Sequence, residues 1–332
     1  MCTIYKLDDV RKVTKMKGYK PPYTITSKIL ALVADISEHL TELKLSALQT
    51  LPMLRKKNRI KTLAGTLEIE GNTLGEEKIT ALIEGKRVLG TIPEIAEVQG
   101  AIKAYKELEN YRYDELDDLL YAHKLLMGEI LTNAGTFRSA NVRVGDHIAP
   151  QAHLIPELMQ KLFSWLKNSD EHLLLKSCIF HYEFEFIHPF SDGNGRVGRL
   201  WQSVMLHTYN PLFSALPVES IVRDHQEAYY KAIEDATNMA ESTPFIEFML
   251  EMILESLIKV GNEVGNKVGN LTQNQQQIIA LIKEDPKISA KKLSEKVGIS
   301  TRKIEENIAK LKKLGILVRV GGTRGYWEIA IS

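Results

Sequence analysis

The chain has 332 residues, of which 44% are hydrophobic and 26% charged, so it can bury one large core and still form a small second domain. Its formal net charge is +1, yet residues 271–332 carry 12 Lys+Arg against 6 Asp+Glu, and a basic C-terminal part therefore follows a mildly acidic body. With two cysteines the chain has no disulfide framework, and without an apolar run of about 18 residues it has no predicted membrane span. Its charged N-terminus is unlike a secretory signal, so we expect a cytoplasmic protein.

Apolar residues at helical spacing predict a mainly α body. The predicted helices cover residues 29–43, 98–108, 116–131, 155–166, 173–187 and 199–207. One segment has strand character, because residues 141–145 alternate polar and apolar side chains and Gly145-Asp146 is typical of a turn. We predict a small β-hairpin there, which on these residues alone is a connecting element.

A short motif ends the helix predicted over about residues 58–71. Thr66 and Glu70 lie four residues apart and so share one helix face, and Gly71 is placed as a helix terminator. Taken by itself, a glutamate before a glycine is typical of an ordinary solvated helix end.

The most informative segment is Ile187-His188-Pro189-Phe190-Ser191-Asp192-Gly193-Asn194-Gly195-Arg196-Val197-Gly198-Arg199. Glycines let the backbone approach an anion, and a following helix adds its positive N-terminal end. Arg196 and Arg199 share a helix face and can bind successive phosphates. Asp192 is a candidate ligand for a divalent cation, and His188 is a candidate general base. This combination predicts attack on a nucleotide phosphate.

A competing interpretation of the same segment is a dinucleotide-binding fingerprint, since Gly193, Gly195 and Gly198 have the required spacing. That fingerprint needs a preceding β-strand. Apolar residues at positions 175, 179, 182 and 186 instead predict a helix that leads into the loop.

Residues 260–270 repeat a Val-Gly-Asn unit three times. Glycine is a poor helix former, so we interpret 259–270 as a linker or a loosened helix end. The remainder, 271–332, has the spacing of a winged helix-turn-helix, with helices over 275–283, 289–297 and 301–314 and a β-wing over 316–331. Its third helix carries five cations suited to DNA phosphates, namely Arg302, Lys303, Lys310, Lys312 and Lys313. A protein-interaction or dimerisation module with solvated lysines is the alternative, since Glu305 and Glu306 lie on the same helix.

The run from His188 to Arg199 resembles the signature of the Fic family, H-P-F-x-D/E-G-N-G-R-x-x-R, and matches every specified position. The resemblance implies a Fic-type helical bundle with a β-hairpin flap, joined to the winged helix. It divides the chain into an N-terminal helical region (1–95), a catalytic core (96–258), the linker (259–270) and the winged helix (271–332).

The activity implied by the resemblance is adenylylation, the transfer of AMP from ATP to a Ser, Thr or Tyr hydroxyl of a target protein. His188 would accept the hydroxyl proton and Asp192 would hold Mg²⁺. The predicted nucleotide-binding residues are Gly193, Asn194, Gly195, Arg196 and Arg199, with Tyr229, Tyr230 and Asn238 near the adenine. Tyr229 and Tyr230 are also compatible with core positions. Val142 and Val144 of the flap would dock the target.

The resemblance also gives Glu70 a role, because many Fic proteins carry an inhibitory helix with the pattern S/T-x-x-x-E-G/N. Thr66 and Glu70 match it, and Glu70 would pair with Arg199 and block the position of the ATP γ-phosphate. Two alternatives remain open: Glu70 positions water to remove AMP from a modified protein, or the Fic body senses a nucleotide for a DNA-binding regulator. The protein itself is a further possible target, and a homodimer a further possible assembly.

Overall fold

Two consecutive helices occupy the centre of the molecule, which we describe from a computed structural model. Helix α7 (Leu173–Ile187) is buried along most of its length and packs against α8 (Asn194–Tyr209). A helix that is apolar on most sides belongs in a core. Phe180, Phe184 and Trp201 are fully buried between these helices and their neighbours. The segment 188–193, which holds the first half of the signature, connects α7 and α8, and the second half forms the start of α8.

The structure describes residues 19–45, 52–144, 147–269, 271–314, 316–321 and 325–329. Around the central pair lie α1 (Ser27–Leu45), α2 (Pro52–Ile69), α3 (Gly75–Ile83), α4 (Ile92–Lys106), α5 (Leu116–Met127), α6 (Ile155–Asn168), α9 (Val218–Asp224), α10 (Gln226–Met239) and α11 (Thr243–Gly269). Single 3-10 turns occur at Leu108–Asn110, Ala152–Leu154 and Pro211–Ala215. The predicted mainly α fold is thus confirmed.

Helix α2, which contains Thr66 and ends directly before Glu70, packs closely on α9. The closest approach is at Gly65, where an added Cβ would lie 2.6 Å from the backbone nitrogen of Ser220. Only glycine lets the two backbones come this near. Ala64 and Leu67 are buried beside it, so the packing fixes where the C-terminal end of α2 points.

The predicted hairpin is present, although its strands are short. Strand β1 (Arg143–Val144) pairs antiparallel with β2 (His147–Ile148), with Arg143 opposite Ile148. The predicted turn residues, Gly145 and Asp146, lie outside the described residues. Val142 directly precedes β1.

Of the two interpretations of 259–270, a linker and a loosened helix end, the structure has helix at these residues, because α11 continues without a break to Gly269 and only Asn270 lies outside the described residues. Tertiary contacts override the low helix propensity of the glycines. Val260 is buried, Lys61 lies 3.2 Å from Glu263, and Gly261 packs against Leu43. Residues 259–263 therefore belong to the helical body.

The C-terminal part has the order of a winged helix-turn-helix, as predicted. Its helices are α12 (Gln273–Glu284), α13 (Ala290–Val297) and α14 (Thr301–Lys313), and β3 (Leu317–Val320) pairs antiparallel with β4 (Tyr326–Ile329). Ser289 caps α13, and Gly298 adopts a φ of +76° in the turn before α14. Residues 322–324 and 330–332, which belong to the predicted wing and the C-terminus, lie outside the described residues.

Across the described ranges, no helix combines the length and the apolar character that a membrane crossing requires.

Two glycine substitutions should change stability in opposite directions. Gly65→Ala places a methyl group against the α9 backbone and should lower the free energy of unfolding by about 1–3 kcal/mol. Gly261→Ala meets only an ordinary contact, 3.8 Å from Leu43, and should raise it by about 0.5–1 kcal/mol because alanine favours the helix. Urea denaturation followed by circular dichroism measures both. Equal effects of the two substitutions would contradict the close packing of α2 on α9.

Candidate active site

The candidate base lies at a backbone reversal. His188 ends α7 with φ 50° and ψ 61°, and its N–H donates to the carbonyl of Phe184 at 2.9 Å. A left-handed conformation is uncommon for a residue other than glycine and persists only where its surroundings hold it. The side chain is half-buried. Contacts around the loop therefore matter for the position of His188.

Arg138 supplies several of those contacts. Its side chain is buried and donates from Nε to the carbonyl of His188 at 2.7 Å and from Nη2 to the carbonyl of Pro150 at 2.5 Å. Its backbone N–H donates to the carbonyl of Pro189 at 2.9 Å. Arg138 thus ties the end of α7 to the segment that follows the hairpin. Its role was not predicted from the sequence, since an arginine between two predicted elements carries no distinctive signal.

His123 packs against the loop of residues 188–193 and stabilises it. Its ring stacks on Phe190 at a centroid distance of 3.7 Å, and its Nδ1 accepts from the backbone N–H of Gly135 at 2.7 Å. The proton is therefore on Nε2, which lies 3.0 Å from the carbonyl oxygen of Asp192. Burial lowers the pKa of His123, consistent with this neutral form.

Asn194 closes the loop on itself. Its Oδ1 accepts from the backbone N–H of Phe190 at 2.9 Å, and its Nδ2 donates to the carbonyl of the same residue at 3.0 Å. Both groups are buried. The asparagine of the signature thus stabilises the conformation of the loop between Phe190 and Asn194.

Two glycines of the signature meet geometric demands. Gly193 has a φ of +82°, and an added Cβ would lie 2.8 Å from Met127. At Gly195 an added Cβ would lie 2.5 Å from Glu70 Oε1 and 2.9 Å from Arg199 Nη1. The missing side chain at 195 leaves the space in which a carboxylate now lies, at the first turn of α8.

Arg196 is held on two sides, and its Nε lacks an acceptor among the described residues. Nη1 donates to Glu97 at 3.1 Å, and Nη2 donates to Asp192 at 3.1 Å. Its Nε is buried and meets no acceptor within the described part of the chain. Because an unsatisfied buried donor is costly, this atom indicates a missing acceptor. Glu97 was not singled out from the sequence, where it is one of many helix glutamates.

The predicted pair of Glu70 and Arg199 is present. Glu70 Oε1 lies 2.6 Å from Arg199 Nη2, and the Thr66 hydroxyl accepts from Arg199 Nε at 3.0 Å. The guanidinium is only 2% exposed and the carboxylate 27%. Burial alone would disfavour the charge of Arg199, but Glu70, together with Tyr229 and Glu185, outweighs it and raises the arginine pKa.

A second carboxylate lies behind this pair. Glu185, one turn before His188, is nearly buried, and its Oε1 meets no hydrogen-bond donor among the described residues. This atom is 3.9 Å from His181 Nε2 and would lie 2.9 Å from a Cβ at Gly198. Burial raises the pKa of Glu185 to about 7, although Arg199 counteracts part of the shift. The sequence analysis did not identify Glu185.

The residues predicted near the adenine occupy different environments. Tyr229 is 1% exposed and lies in the core, with its hydroxyl 3.1 Å from His181 Nε2. It lies behind Arg199, with which it interacts. Tyr230 is half exposed and its hydroxyl lies 3.5 Å from the carbonyl of Ile69, beside the end of α2. Asn238 is exposed near the end of α10. Tyr229 therefore corresponds to the core alternative for the tyrosine pair.

Comparison with known proteins identifies the family. The Fic/DOC family model matches residues 113–206, and a model described as winged helix-turn-helix DNA-binding matches 271–318. The crystal structure of a Fic family protein from Desulfovibrio desulfuricans G20 is 39% identical, covers 94% of this chain and 98% of that one, and has a TM-score of 0.72. The chain belongs to the Fic family. The resemblance of its signature is thereby confirmed.

Other relatives share less of the length of this Fic protein. Fic-1 from C. elegans has a TM-score of 0.59 at 23% identity, covering 71% of this chain and 72% of that one, which shows the common fold. The "Protein adenylyltransferase Fic" of Culex quinquefasciatus is 29% identical over 59% of this chain and 40% of its own length. That of Nematostella vectensis is 30% identical over 54% and 44%. The chain thus spans about two fifths of the curated relatives it matches.

Glu185 predicts a pH dependence of stability. Its pKa rises from 4.5 to about 7 on folding, so the folded state binds a proton that the unfolded state has released. The stabilisation is fully present below pH 4.5 and is lost as the pH rises through about 7. Glu185→Gln should remove this loss and raise the free energy of unfolding above pH 7 by about 1–3 kcal/mol.

Urea titrations at several pH values between 4.5 and 8 test this, and Glu157→Gln, an exposed position on α6, serves as the control. If the free energies of unfolding of Glu185→Gln and the parent chain differ by the same amount at every pH in this range, the shifted pKa is contradicted.

Proposed function

We propose that this Fic protein is a self-inhibited protein adenylyltransferase that transfers AMP from ATP to a hydroxyl of a target protein. The observation that carries the proposal is the contact between Glu70 and Arg199 at the first turn of α8. There the helix N-terminus, Gly195 and two buried arginines form a site for anions. A carboxylate from another helix lies in that site. The names of the curated relatives support the same activity.

In the proposed reaction, the target hydroxyl oxygen attacks the α-phosphorus of ATP and pyrophosphate leaves. His188 accepts the hydroxyl proton. Gly193, Asn194 and Gly195 line the α-phosphate site, while Arg196 and Arg199 neutralise the departing charge. The unsatisfied Nε of Arg196 supports this role, since a phosphate oxygen would supply the acceptor that it lacks. Tyr230 and Asn238 remain candidates for the adenine end.

Asp192 fits the role of a magnesium ligand. Its side chain is half exposed, and its Oδ1 is already shared between the Gly193 N–H and Arg196. No group of three metal-binding side chains exists in the described ranges. A single carboxylate suits Mg²⁺, which in nucleotide sites is held by one or two carboxylates together with substrate phosphates and water. When bound there, the ion would neutralise phosphate charge.

The hairpin β1–β2 supports the target-docking role proposed for Val142 and Val144. A strand edge can bind an extended peptide through backbone hydrogen bonds, which leaves the side chains of the target variable. Arg138 fixes the spatial relation, because it contacts both the loop at His188 and the segment after the hairpin. A docked hydroxyl would therefore lie at a defined distance from the base. The protein itself is one possible target.

The contact of Glu70 accounts for self-inhibition. A charge-assisted hydrogen bond contributes about 1.5–3 kcal/mol, and each 1.4 kcal/mol corresponds to a factor of about ten in an equilibrium constant. An ATP molecule that must displace Glu70 from Arg199 would thus bind productively about ten- to a hundredfold more weakly. We further propose that the protein is cytoplasmic. Formation of a homodimer would be one way to control the contact between Glu70 and Arg199.

Glu70→Gly should increase AMP transfer about ten- to a hundredfold. The measurement is the incorporation of label from α-labelled ATP with Mg²⁺, on the protein itself and on proteins of a cell lysate. Adding His188→Ala to Glu70→Gly should abolish incorporation because no base remains. Glu68→Gly is the matched control on the same helix: Glu68 pairs with Arg223 and not with the signature.

Equal labelling of the Glu70→Gly and Glu68→Gly proteins would contradict the inhibitory role. If no variant incorporates label, but the parent chain removes AMP from a modified protein and Glu70→Gly does not, the reaction runs in the opposite direction and Glu70 positions water.

A second proposed function is DNA binding by residues 271–329. The supporting observation is that Lys303, Lys310 and Lys313 are all exposed on α14 and share one face by their spacing of seven and three. The matching family model is described as DNA-binding. Glu306 reduces the local charge and pairs with Arg302 at 3.2 Å, so affinity should depend mainly on the lysines.

Lys310→Gln combined with Lys313→Gln should weaken duplex DNA binding about tenfold and reduce the salt dependence by about two ions. Fluorescence anisotropy with a labelled duplex at several salt concentrations measures this, and Lys283→Gln on α12 is the control. A full-length chain that binds no DNA at low salt would favour the protein-interaction alternative.

A further inference from the structure

A cavity of about 380 Å³ opens beside the N-terminal half of the inhibitory helix α2. Its walls come from α2, α3, α4, α8, α9, the 3-10 turns at 108–110 and 211–215, and the residue that follows the second turn. The volume lies within the range of small-molecule sites, which is about 300–1,000 Å³. The residues 188–199 do not line it, so it is separate from the proposed ATP site.

The mouth of the cavity is basic. Arg55, Lys56 and Arg59 line it from successive turns of α2 and are exposed. Lys56 also pairs with Glu84 at 3.4 Å, and Arg59 donates to the carbonyl of Tyr105 at 3.0 Å. With Glu109 at the rim and Glu219 inside, the lining carries three cations against two carboxylates. Such a cluster favours a ligand with an anionic group.

The interior is polar and buried. Glu219 is 3% exposed and accepts hydrogen bonds from the hydroxyls of Ser203 and Tyr105. Burial raises the pKa of Glu219. Hydroxyls and a carboxyl group in one cavity can pair with several hydroxyls of a ligand. Apolar walls that can contact a sugar ring come from Ile60, Leu108, Phe213 and Leu216.

We propose that this cavity binds a small phosphorylated sugar, with the phosphate at Arg55 and Arg59 and the sugar hydroxyls toward Ser203 and Glu219. Such a ligand contacts α2 and the helical body at once. It therefore stabilises the state in which α2 is docked, because a ligand shifts an equilibrium toward the state that it contacts more extensively. The docked state is the one in which Glu70 reaches Arg199.

A buried polar path joins the cavity to that contact. Tyr105 is 2% exposed, and its hydroxyl lies 3.3 Å from Glu219 Oε1. The same hydroxyl interacts with Thr66 and, electrostatically, with the positive charge of Arg199. Thr66 in turn accepts from Arg199 Nε at 3.0 Å. The ligand is thus a proposed inhibitor of AMP transfer, a consequence that rests on the proposed function.

The test is calorimetric titration of the full chain with ribose 5-phosphate, and with ribose and inorganic phosphate as separate probes. We expect saturable binding of ribose 5-phosphate, and binding about tenfold weaker for either fragment. Arg55→Gln should weaken binding of ribose 5-phosphate about tenfold. Lys57→Gln is the matched control, since Lys57 is exposed on the same helix and does not line the cavity.

Three results would overturn the site: no saturable binding of ribose 5-phosphate at millimolar concentration, equally tight binding of inorganic phosphate, or equal effects of the two substitutions. Amide hydrogen exchange tests the link to α2 without relying on AMP transfer. The bound probe should slow exchange of residues 52–69 in the parent chain, and binding without that protection would refute the coupling.

Discussion

The charge of Arg199 is the constraint on which the candidate site depends. A guanidinium that is 2% exposed keeps its charge, and a buried charge left without a partner costs about 3–5 kcal/mol. The folded chain must therefore supply an anion at this position or bind one. Glu70 supplies it from α2, while Thr66 accepts from a second nitrogen of the same group. Displacement of Glu70 is costly unless another anion arrives. The proposed inhibition and the proposed ATP binding would each supply an anion to Arg199.

This constraint explains why α2 is packed so closely. The contact between Gly65 and the backbone of α9 determines where the last turn of α2 lies, and Glu70 follows directly after it. A looser helix would place the carboxylate over a range of positions and weaken the pair with Arg199. On the opposite side, Gly195 leaves the space for the carboxylate. Two glycines on different helices thus define a gap that fits one carboxylate or one phosphate oxygen.

The sequence was sufficient for those parts of the site that a continuous motif encodes. The segment from His188 to Arg199 and the motif of Thr66 and Glu70 are local patterns, and helical periodicity predicted α7 on the correct residues. Arg138, His123, Glu97 and Glu185 escaped, because their roles arise from contacts with residues far away in the chain. The sequence alone does not distinguish a buried arginine that donates to carbonyl groups from a solvated one. The glycines of 261–269 favoured a linker or a loosened helix end for a related reason, since the burial of Val260 and the ion pair of Lys61 with Glu263, which support a helix there, are tertiary contacts.

Glu185 shows how the surroundings of Arg199 extend beyond the pair. Its carboxyl group is attracted by Arg199 but repelled by Glu70, and burial disfavours its ionised form. If Glu70 leaves and no phosphate replaces it, the repulsion disappears and Glu185 ionises more easily. The ionised Glu185 would then neutralise part of the charge of the Arg199 guanidinium. The two carboxylates are therefore coupled through one arginine: proton loss at Glu185 accompanies departure of Glu70, and the energetic cost of opening the site is smaller at a pH above the pKa of Glu185 than below it.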